Sequence, residues 1–543
     1  MIDKTLGYVS RGTSRRYDPF MRLTLGDDTL TVSGVASAAR NEPQLGLSAE
    51  AAIRMDDSVA LRDELIATKR PLYGVTTGFG DSARFQLNPR RTAELQRNLI
   101  RYHLNGTGTH AAPDVVRATM LIRANCLARG YSGIRREVVD LLVDCLRHDI
   151  LPLIPERGSV GASGDLVPLC YLADMLTGEG EVTFKQAKWQ AADALRACGL
   201  KPATYEAKEG LALINGTSFM SGFAALAAHD AAELARVAEL CTALSAEALL
   251  GNRGHYHPVI HRQKPHRGQV LSAQRIHGML AGSYLCTDDN PVLEPHADVD
   301  EREMLTLNRS IQDRYSLRCA PHVIGVLRDT LGWVTEWIEV EINSTNDNPL
   351  FDAETGEVYN GGNFYGGHIG QAMDSLKVAV ASVGDLLDRQ LALLVDDKFN
   401  AGLPPNLTPL AEAGLHHGFK GMQLACSALA AEALSLTGPS TSFSRSTESH
   451  NQDKVSMGTI AARGARTVVE LVTEITAITL MAGCQAADLR GRELLGDGTR
   501  AAHRLLREHV PFLHHDRRLD GDLATVAGLI ASGAFTPAEE ADA

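Results

Sequence analysis

Residues 157–169 read RGSVGASGDLVPL, and this stretch decides both the fold and the chemistry predicted for the chain. Its Ala162-Ser163-Gly164 tripeptide lies in a glycine-flanked turn, where the Gly164 nitrogen is unhindered and free in φ and ψ. Attack of that nitrogen on the Ala162 carbonyl, with loss of water and dehydration of Ser163, gives an imidazolone with an exocyclic methylene. Asp165 either assists the cyclisation or caps the next helix. The alternative is an unmodified helix N-terminus capped by Ser163 or Asp165, which A-S-G-D alone would favour.

Helical periodicity dominates on both sides of this turn. Several of the periodic segments are rich in Ala, Leu and Val and are apolar nearly all round, which is typical of helices enclosed by other helices or by partner subunits. Apolar residues recur at three-and-four spacing over residues 92–104, 115–129, 137–148, 218–250, 369–396, 421–436 and 458–489.

Strand signals are short, such as TLTV at 29–32 and the fragment at 182–184. We therefore expect a mainly α protein, with a long central helical bundle and a smaller, loop-rich N-terminal domain that carries the Ala-Ser-Gly turn. The predicted divisions are an N-terminal arm, the N-terminal domain, the central bundle, and a C-terminal helical segment with its tail, at residues 1–25, 26–200, 201–495 and 496–543.

Composition and charge exclude several classes of function. The net charge of −13, with no basic stripe, argues against a nucleic-acid partner. The most apolar run, residues 475–484, is too short to span a membrane. The opening residues, MIDKTLGYVSRGTSRRYDPF, lack the apolar centre of a secretory signal. Nine cysteines without a C-x-x-C pair fit reduced thiols, so we expect a cytoplasmic protein.

Seven loop motifs follow one another along the chain: Y-G-V-T-T-G-F-G, G-S-V-G-A-S-G-D-L, L-I-N-G-T, Y-S-L-R-C-A-P, T-N-D-N-P, G-G-N-F and H-N-Q-D. With them, about residues 30 to 525 resemble the histidine, phenylalanine and tyrosine ammonia-lyases and the related aminomutases. The resemblance implies the ammonia-lyase/fumarase-like fold and a 4-methylidene-imidazol-5-one (MIO) group formed from Ala162-Ser163-Gly164. It also implies a homotetramer with active sites shared between subunits. We expect no metal and no nucleotide.

The reaction that the resemblance implies is elimination of ammonia from an aromatic L-amino acid to a trans-cinnamate-type acid. The β-hydrogen is scarcely acidic and ammonia is a poor leaving group, so an electrophile must take the amine while a strong base removes the proton. The resemblance gives that base role to Tyr73, whose pKa must then be lowered from about 10. Helix N-termini that converge on the site would help. Arg318 of YSLRCAP is the implied carboxylate-binding cation, because a guanidinium binds a carboxylate in a bidentate way.

Further site residues are implied by the same resemblance. Asn348 would be a second carboxylate contact and Tyr315 a hydroxyl near the amine and the base. Asn215 and Gln312 would line the prosthetic group, and Phe364 would pack beside it. The alternative is structural, because Asn in N-G and D-N-P often only builds turns.

Two charged residues complete the expected pocket. Lys420 and Glu448 resemble the lysine and glutamate of phenylalanine ammonia-lyases, whereas histidine and some tyrosine lyases have methionine in place of the lysine. Asn451 and Gln452 of the H-N-Q-D motif are placed with them as substrate-binding residues. The alternative is that Lys420 and Glu448 are solvated loop residues.

Substrate selectivity in the family depends on two adjacent residues, here Tyr102 and His103. Phenylalanine lyases show Phe-Leu there, one group of tyrosine lyases shows His-Leu, and histidine lyases show Ser-His. An aromatic wall with two polar tips suits a ring hydroxyl, and Lys420 and bulky Tyr102 disfavour histidine. We therefore expect tyrosine or a hydroxylated phenylalanine as the substrate, with phenylalanine as a further candidate. Alternatively, Tyr102 or His103 points into the core.

Three other functions compete with this prediction. An aminomutase shares every motif but re-adds ammonia at the β-carbon, and the difference lies in how long the product stays enclosed. A scaffold protein that kept the fold is disfavoured, since Tyr73, Ser163 and Arg318 are all present. A metal site is suggested by four histidines but lacks an H-E-x-x-H pattern; they are His255, His257, His261 and His266.

Overall fold

The computed structural model describes residues 22–41, 43–288, 294–295, 303–307, 310–409 and 414–536. Most of the predicted N-terminal arm, and the tail beyond residue 536, lie outside the described residues. The described strands are β1 (Arg22–Leu25), β2 (Gln44–Leu47), β3 (Thr107–His110), β4 (Leu151–Pro152), β5 (Pro155–Arg157), β6 (Glu181–Phe184), β7 (Ala187–Gln190), β8 (Leu350–Asp352) and β9 (Glu357–Tyr359).

The strands form small, separate sheets. Strands β1 and β2 pair in parallel, whereas β3 with β5 and β8 with β9 are antiparallel pairs. Strands β4, β6 and β7 make a three-stranded antiparallel sheet. The helices of this N-terminal part are α1 (Val32–Arg40), α2 (Ala49–Ala67), α3 (Thr92–His103), α4 (Pro113–Leu127), α5 (Arg136–Arg147), α6 (Leu166–Leu176), α7 (Ala191–Ala197) and α8 (Glu209–Ile214).

Long helices make up the rest of the chain. They and their shorter companions are α9 (Ser218–Ala248), α10 (Pro258–Arg262), α11 (Arg267–Met279), α12 (Tyr315–Arg318), α13 (Ala320–Ile342), α14 (Gly367–Val395), α15 (Lys420–Ser435), α16 (Gly458–Arg490), α17 (Asp497–His509) and α18 (Asp520–Ala531). Short 3₁₀ turns lie between them, at Gly80–Arg84, Pro89–Arg91, Arg253–Tyr256, Pro405–Leu407, Ser440–Phe443 and Arg492–Leu494.

Helices α9, α14 and α16 form the centre of the bundle, and α16 packs against both of the others. At about 1.5 Å per residue, each of the three runs for more than about 40 Å. Their side chains are buried almost all round, because each helix is covered by its neighbours. Hydrophobic burial along these helices fixes which residues lie at each end of the bundle.

The sequence predicts no segment that is apolar enough to cross a membrane, and helix α16 does not fit that prediction. Among the described residues, Gly458–Arg490 is long and apolar enough to do so by length and composition. Within the fold, 72% of its most apolar window is buried. Other helices therefore take up the apolar surface of α16, as in the core of a globular bundle.

The mainly α prediction is confirmed, and each predicted periodic segment overlaps a helix of the structure. The fragment at 182–184 is confirmed as part of β6. The strand expected at 29–32 is wrong, because α1 begins there. The Oγ1 of Thr31 accepts a hydrogen bond from the backbone nitrogen of Gly34 at 3.0 Å and so caps α1. The domain boundaries stay a prediction.

Candidate active site

A cavity of about 610 Å³ opens at one end of the bundle. We call this the turn end, because the Ala-Ser-Gly turn lies there. Eight predicted site residues belong to its lining, and Gly164 and Glu448 lie beside it. The lining residues are Pro71, Tyr73, Thr77, Ala83, Gly161, Ala162, Ser163, Leu211, Asn215, Asn348, Asn360, Phe364, Tyr365, Asn451, Gln452, Asp453, Lys454 and Val455.

The Ala-Ser-Gly segment forms a tight turn in which Gly161 and Gly164 form an antiparallel bridge. Ser163 has a φ of 50° and Gly164 a φ of 77°, in the left-handed region. The α-carbon of Gly164 packs against the carbonyl of Gly216, so a methyl group there would overlap the carbonyl oxygen. The backbone nitrogen of Asp165 donates to the same Gly216 oxygen at 2.7 Å. The turn is thus folded back on itself and held from behind, which fits the backbone ring closure that forms MIO.

Asp165 lies fully buried behind this turn. Its Oδ2 accepts from the backbone nitrogen of Met220 at 2.8 Å, and its Oδ1 accepts from the hydroxyls of Ser159, at 3.2 Å, and Thr459. Burial raises the pKa of Asp165 to about 6, although these hydrogen bonds lower it. The side chain makes no cap for α6, which follows directly. Asp165 therefore binds the first turn of α9, and the expectation that it caps the next helix is wrong.

Helix N-termini converge on the cavity. Helix α6 begins two residues after Gly164, and α9 begins three residues after Asn215. Helix α14 begins three residues after Phe364, and α16 begins three residues after Val455. Each N-terminus carries roughly half a positive charge, so the cavity favours anionic groups.

Tyr73 and a glutamate are held by adjacent backbone amides. The Gly80 nitrogen donates to the Tyr73 hydroxyl oxygen at 3.0 Å, and the Asp81 nitrogen donates to the Glu448 carboxylate at 3.0 and 3.2 Å. Burial raises the pKa of Tyr73, the Gly80 N–H lowers it, and the Glu448 charge raises it further. The net pKa shift is upward, opposite to the shift that a base requires. Within one chain, the effects of burial and of the Glu448 carboxylate on the pKa of Tyr73 outweigh the effect of the Gly80 N–H.

The two asparagines expected at the site are both buried beside the cavity. The Nδ2 of Asn215 donates to Asp347 Oδ1 at 3.1 Å and to the carbonyl of Asn348 at 2.9 Å. The Oδ1 of Asn348 accepts from the backbone nitrogen of Gly361 at 2.7 Å. The Asn348 side-chain oxygen is therefore occupied by the Gly361 N–H, and its NH₂ group is the one that can donate to a carboxylate.

Tyr102 and His103 end α3 near Tyr73 and Glu448. Burial raises the pKa of Tyr102, and the charges of Cys170, Tyr73 and Glu448 raise it further. The Tyr102 side chain is nevertheless 56% exposed, and neither residue belongs to the cavity lining. The Nδ1 of His103 lies 2.9 Å from the carbonyl of Leu99, and burial lowers the pKa of His103.

Four expected site residues lie at the opposite end of the bundle, which we call the arginine end. Gln390, near the last turn of α14, donates to the carbonyl of Ser316 at 2.9 Å. The α12 segment is therefore about 35 Å along α14 from the turn end. Arg318 itself donates to the carbonyl of Asp313 at 3.0 Å and lies over the ring of Tyr315, 4.5 Å from its centroid. Gln312 lines a separate shallow hollow there.

Lys420 is also at the arginine end. The neighbouring Phe419 nitrogen donates to the carbonyl of Asn406 at 3.0 Å, and the next residue, Leu407, accepts from Gln485 at 3.3 Å. Gln485 lies about 40 Å along α16 from its first residue. Within one chain Lys420 and Glu448 therefore lie at opposite ends of the bundle, and their pairing in one pocket stays a prediction.

The histidine cluster that suggested a metal is used by the fold. The Nδ1 of His261 lies 3.1 Å from the side-chain nitrogen of Gln269, and its Nε2 lies 3.1 Å from the carbonyl of His255. Both ring nitrogens thus have protein partners. Among the described residues, no group of three or more potential ligands could hold a metal ion.

Several residues near the cavity were missed by the sequence analysis. Tyr365 and Lys454 belong to the lining, and each directly follows or lies close to a quoted motif. Ser159 and Thr459 bind Asp165, but they are 300 residues apart and show no shared pattern. Extending each motif by two residues predicts Tyr365 and Lys454. Ser159 and Thr459 come together only in the folded chain.

The fold and the geometry of the site define the class of protein. It is a long helical bundle with a cavity at one end, and the Ala-Ser-Gly turn lies in the lining of that cavity. The family model described as aromatic amino acid lyase matches residues 30–508, and the chain belongs to this family. The histidine ammonia-lyase of Gloeobacter violaceus is 40% identical over 96% of this chain and 98% of its own length. That of Treponema denticola is 36% identical over 94% of this chain and 97% of its own length.

Solved structures give the same fold. The tyrosine aminomutase of Streptomyces globisporus superposes with a TM-score of 0.89 at 35% identity, and covers 94% of this chain and 98% of its own. The histidine ammonia-lyase of Trypanosoma cruzi has a TM-score of 0.85 at 32% identity, and covers 96% of this chain and 97% of its own. The predicted ammonia-lyase fold is confirmed.

The substrate expected from the sequence, tyrosine or a hydroxylated phenylalanine, is wrong. Eight relatives at 36–40% identity are all named histidine ammonia-lyase. Within one chain, Lys420 lies at the arginine end and the ring of Tyr102 is more than half exposed.

Proposed function

We propose that this protein is a histidine ammonia-lyase, which converts L-histidine to urocanate and ammonia. The observation that carries the proposal is the similarity, at 36–40% identity over nearly the whole chain, to relatives named for that activity. The site is consistent with it, because a base candidate, a carboxylate and the Ala-Ser-Gly turn adjoin one cavity.

The MIO group, formed from Ala162-Ser163-Gly164, would supply an electrophilic carbon that takes the substrate nitrogen and makes it a better leaving group. Tyr73 removes the β-proton, and its phenolate is held by the Gly80 N–H at 3.0 Å. Burial and Glu448 oppose ionisation of Tyr73 in the empty cavity. A cationic substrate reverses this balance, because an ammonium group beside Tyr73 and Glu448 favours both anions.

Recognition of an imidazole ring fits the residues around Tyr73. The Glu448 carboxylate uses the Asp81 N–H and still has free acceptor capacity for a ring N–H. His103 stands where the resemblance places the histidine of the Ser-His pair in histidine lyases. Burial lowers the pKa of His103, so the ring is neutral near pH 7 and can exchange a hydrogen bond with a second imidazole.

Binding of the substrate carboxylate by Arg318 would require a second copy of the chain. Asn348 lies at the turn end, whereas Arg318 and Tyr315 are about 35 Å away in the same chain. Because one side chain cannot cross that distance, we propose that the arginine end of one subunit completes the cavity of another. This assigns Gln312, Tyr315, Arg318 and Lys420 to the partner's site.

An uncovered apolar surface supports such an assembly. Helix α15 is rich in Leu and Ala, yet only Cys426, Ala430 and Ala433 are buried within the chain. Leu424 is 70% exposed and Leu434 is 42% exposed. An exposed apolar stripe of this kind is typical of a subunit interface. We therefore propose a homo-oligomer, with the homotetramer of the family as its form.

The nine cysteines are all free thiols, and most of them are buried. Free thiols persist in a reducing compartment, so we propose a cytoplasmic location.

Incubation of the purified protein with L-histidine and, separately, L-tyrosine tests the proposed activity. We expect release of urocanate and ammonia from L-histidine, with much slower release of coumarate from L-tyrosine. Faster release of coumarate would contradict the substrate, and a β-amino acid product on chiral chromatography would contradict the lyase reaction.

A further inference from the structure

A buried ion pair lies behind the cavity and contacts a residue of its lining. The Nζ of Lys208 is 2.6 Å from Asp347 Oδ2, and both side chains are fully enclosed. The Oδ1 of Asp347 accepts from Asn215 Nδ2 at 3.1 Å and from the Asn348 backbone nitrogen at 2.7 Å. Lys208 directly precedes α8, whose end leads into Asn215. The pair therefore ties together the two loops that bring Asn215 and Asn348 to the cavity.

The ion pair fixes which way the Asn215 amide points. The amide nitrogen has two partners, the Asp347 carboxylate and the Asn348 carbonyl, and both can only accept hydrogen bonds. The amide must therefore present its NH₂ group to them. Its Oδ1 is buried and has no hydrogen-bond partner in the described part of the chain. An unmatched buried acceptor is destabilising, so a ligand donor at this atom is favoured.

The MIO ring carries no N–H, so it cannot supply the donor that Oδ1 lacks. A substrate amine carries the missing N–H, whereas a carboxylate would repel Oδ1. Lys208 is essential to this arrangement, because an isolated buried carboxylate takes up a proton. A protonated Asp347 could donate a hydrogen bond, and only the Asn348 carbonyl would then hold the NH₂ group of Asn215 in its direction.

We propose that Lys208 and Asp347 are positioning residues that turn the Asn215 oxygen toward the amine of the bound amino acid. The inference rests on the proposed ammonia-lyase function and adds a device that selects substrates bearing an amine. Buried ion pairs contribute little to stability on balance, which is consistent with a role in orientation.

The test compares L-histidine with 3-(imidazol-4-yl)propionate, which has the same ring and carboxylate but no amine. The variant is Lys208→Met/Asp347→Asn, which removes both charges and leaves neither buried alone. The matched control is Lys377→Met/Asp374→Asn, at another buried Lys–Asp pair, with a 2.8 Å separation. Near-ultraviolet absorbance of MIO reports that each variant has folded and formed the group.

We expect the KM for L-histidine to rise about 10-fold in the first variant, since a hydrogen bond to a charged group is lost. The inhibition constant of the propionate should change less than about twofold, and the control should change neither constant. A parallel rise of both constants, or no rise in either, would overturn the proposal. If the double variant fails to form MIO, Asp347→Asn alone is measured against the same two outcomes.

Failure of the proposed substrate is distinguishable from failure of this inference. Wild-type protein that releases no urocanate shows that the substrate is wrong. The same pair of constants is then measured with the aromatic amino acid that the wild type does convert and with its own deaminated analogue.

Discussion

The two ends of the helical bundle differ in what they offer to a ligand. The turn end has a cavity in which the Ala-Ser-Gly turn, Tyr73 and the start of four helices meet. The arginine end has a more open hollow at Gln312, and it holds Arg318 on the short helix α12 beside an exposed Tyr315 ring. One end therefore has the proposed reacting groups, and the other has the arginine that the resemblance gives to carboxylate binding.

The difference shows that two groups in contact with the same long helix can still lie far apart. Phe364 lies just before the start of α14, and Ser316 contacts Gln390 near its end, so about 35 Å of helix separates them. We propose that a single chain holds two half-sites, which assembly of copies with opposite ends together would unite.

Ser163→Ala should give the largest effect, because it removes the hydroxyl group whose loss as water forms the exocyclic methylene. We expect loss of the MIO near-ultraviolet absorbance and a fall in kcat of roughly 10³-fold or more. Ser163 is only partly buried and makes no hydrogen bond on which the turn depends, so helical circular dichroism should be unchanged. Retention of more than a few per cent of activity would remove the turn end from the chemistry.

Mixing two inactive variants tests whether the two ends act together. Tyr73→Phe damages the turn end and Arg318→Gln the arginine end, and each should lower kcat/KM by about 100-fold or more. After joint unfolding and refolding, mixed oligomers should contain some sites with neither change and regain activity. Each variant refolded alone serves as the control. Persistent inactivity of the mixture would indicate that each chain uses its own residues only.

The sequence was sufficient for the helices and for the turn end, but for different reasons. Three-and-four periodicity predicts a helix because burial on one face is a local property, so α3, α5 and α16 were found within a few residues. The TLTV segment misled because β-branched residues also suit a helix start, where Thr31 acts as a cap. The motifs around Ser163 and Tyr73 were sufficient because each is a compact turn.

What the sequence could not provide was position in space. Lys420 and Glu448 are 28 residues apart and were expected in one pocket, but α15 carries the chain away from one to the other. The motif residues Tyr102 and His103 predict pocket walls, but the exposure of a helix-end side chain depends on tertiary packing. The substrate prediction failed because it weighed a few positions, whereas nearly the whole chain is similar to relatives named histidine ammonia-lyase.

Glu448→Gln should have a moderate effect that is confined to the turn end. The carboxylate is one of the causes that raise the pKa of Tyr73, so its removal should lower that pKa. Because Tyr73 acts as a base only when it is ionised, the rise of kcat/KM with pH should then begin at a lower pH than in the wild type. Glu508→Gln, at an exposed position of α17, is the comparison variant. An unchanged pH profile for Glu448→Gln would show that the two groups do not interact.

The smallest expected effect is on the pH dependence of stability, through two carboxylates: Asp165 at the turn end and Asp488 at the arginine end. Burial raises the pKa of Asp165 to about 6. Burial also opposes ionisation of Asp488, at the arginine end, but its contacts with His503 and Arg507 outweigh this and lower its pKa. The folded state therefore binds more protons than the unfolded state at Asp165, and fewer at Asp488. The two groups should change stability with pH in opposite directions.

Denaturant unfolding between pH 4 and pH 7 measures that opposition, with Ser163→Ala as the background so that ring formation does not intervene. The Asp165 contribution falls as the pH rises from about 4 to about 6, by up to about 3 kcal/mol. Asp165→Asn should remove this decline. The Asp488 contribution is present above the unfolded pKa and is lost as the pH falls through the lowered folded value, so Asp488→Asn should destabilise the protein throughout the measured range. If both variants altered the pH dependence of the free energy of unfolding in the same direction, the pKa values of Asp165 and Asp488 would not be shifted in opposite directions.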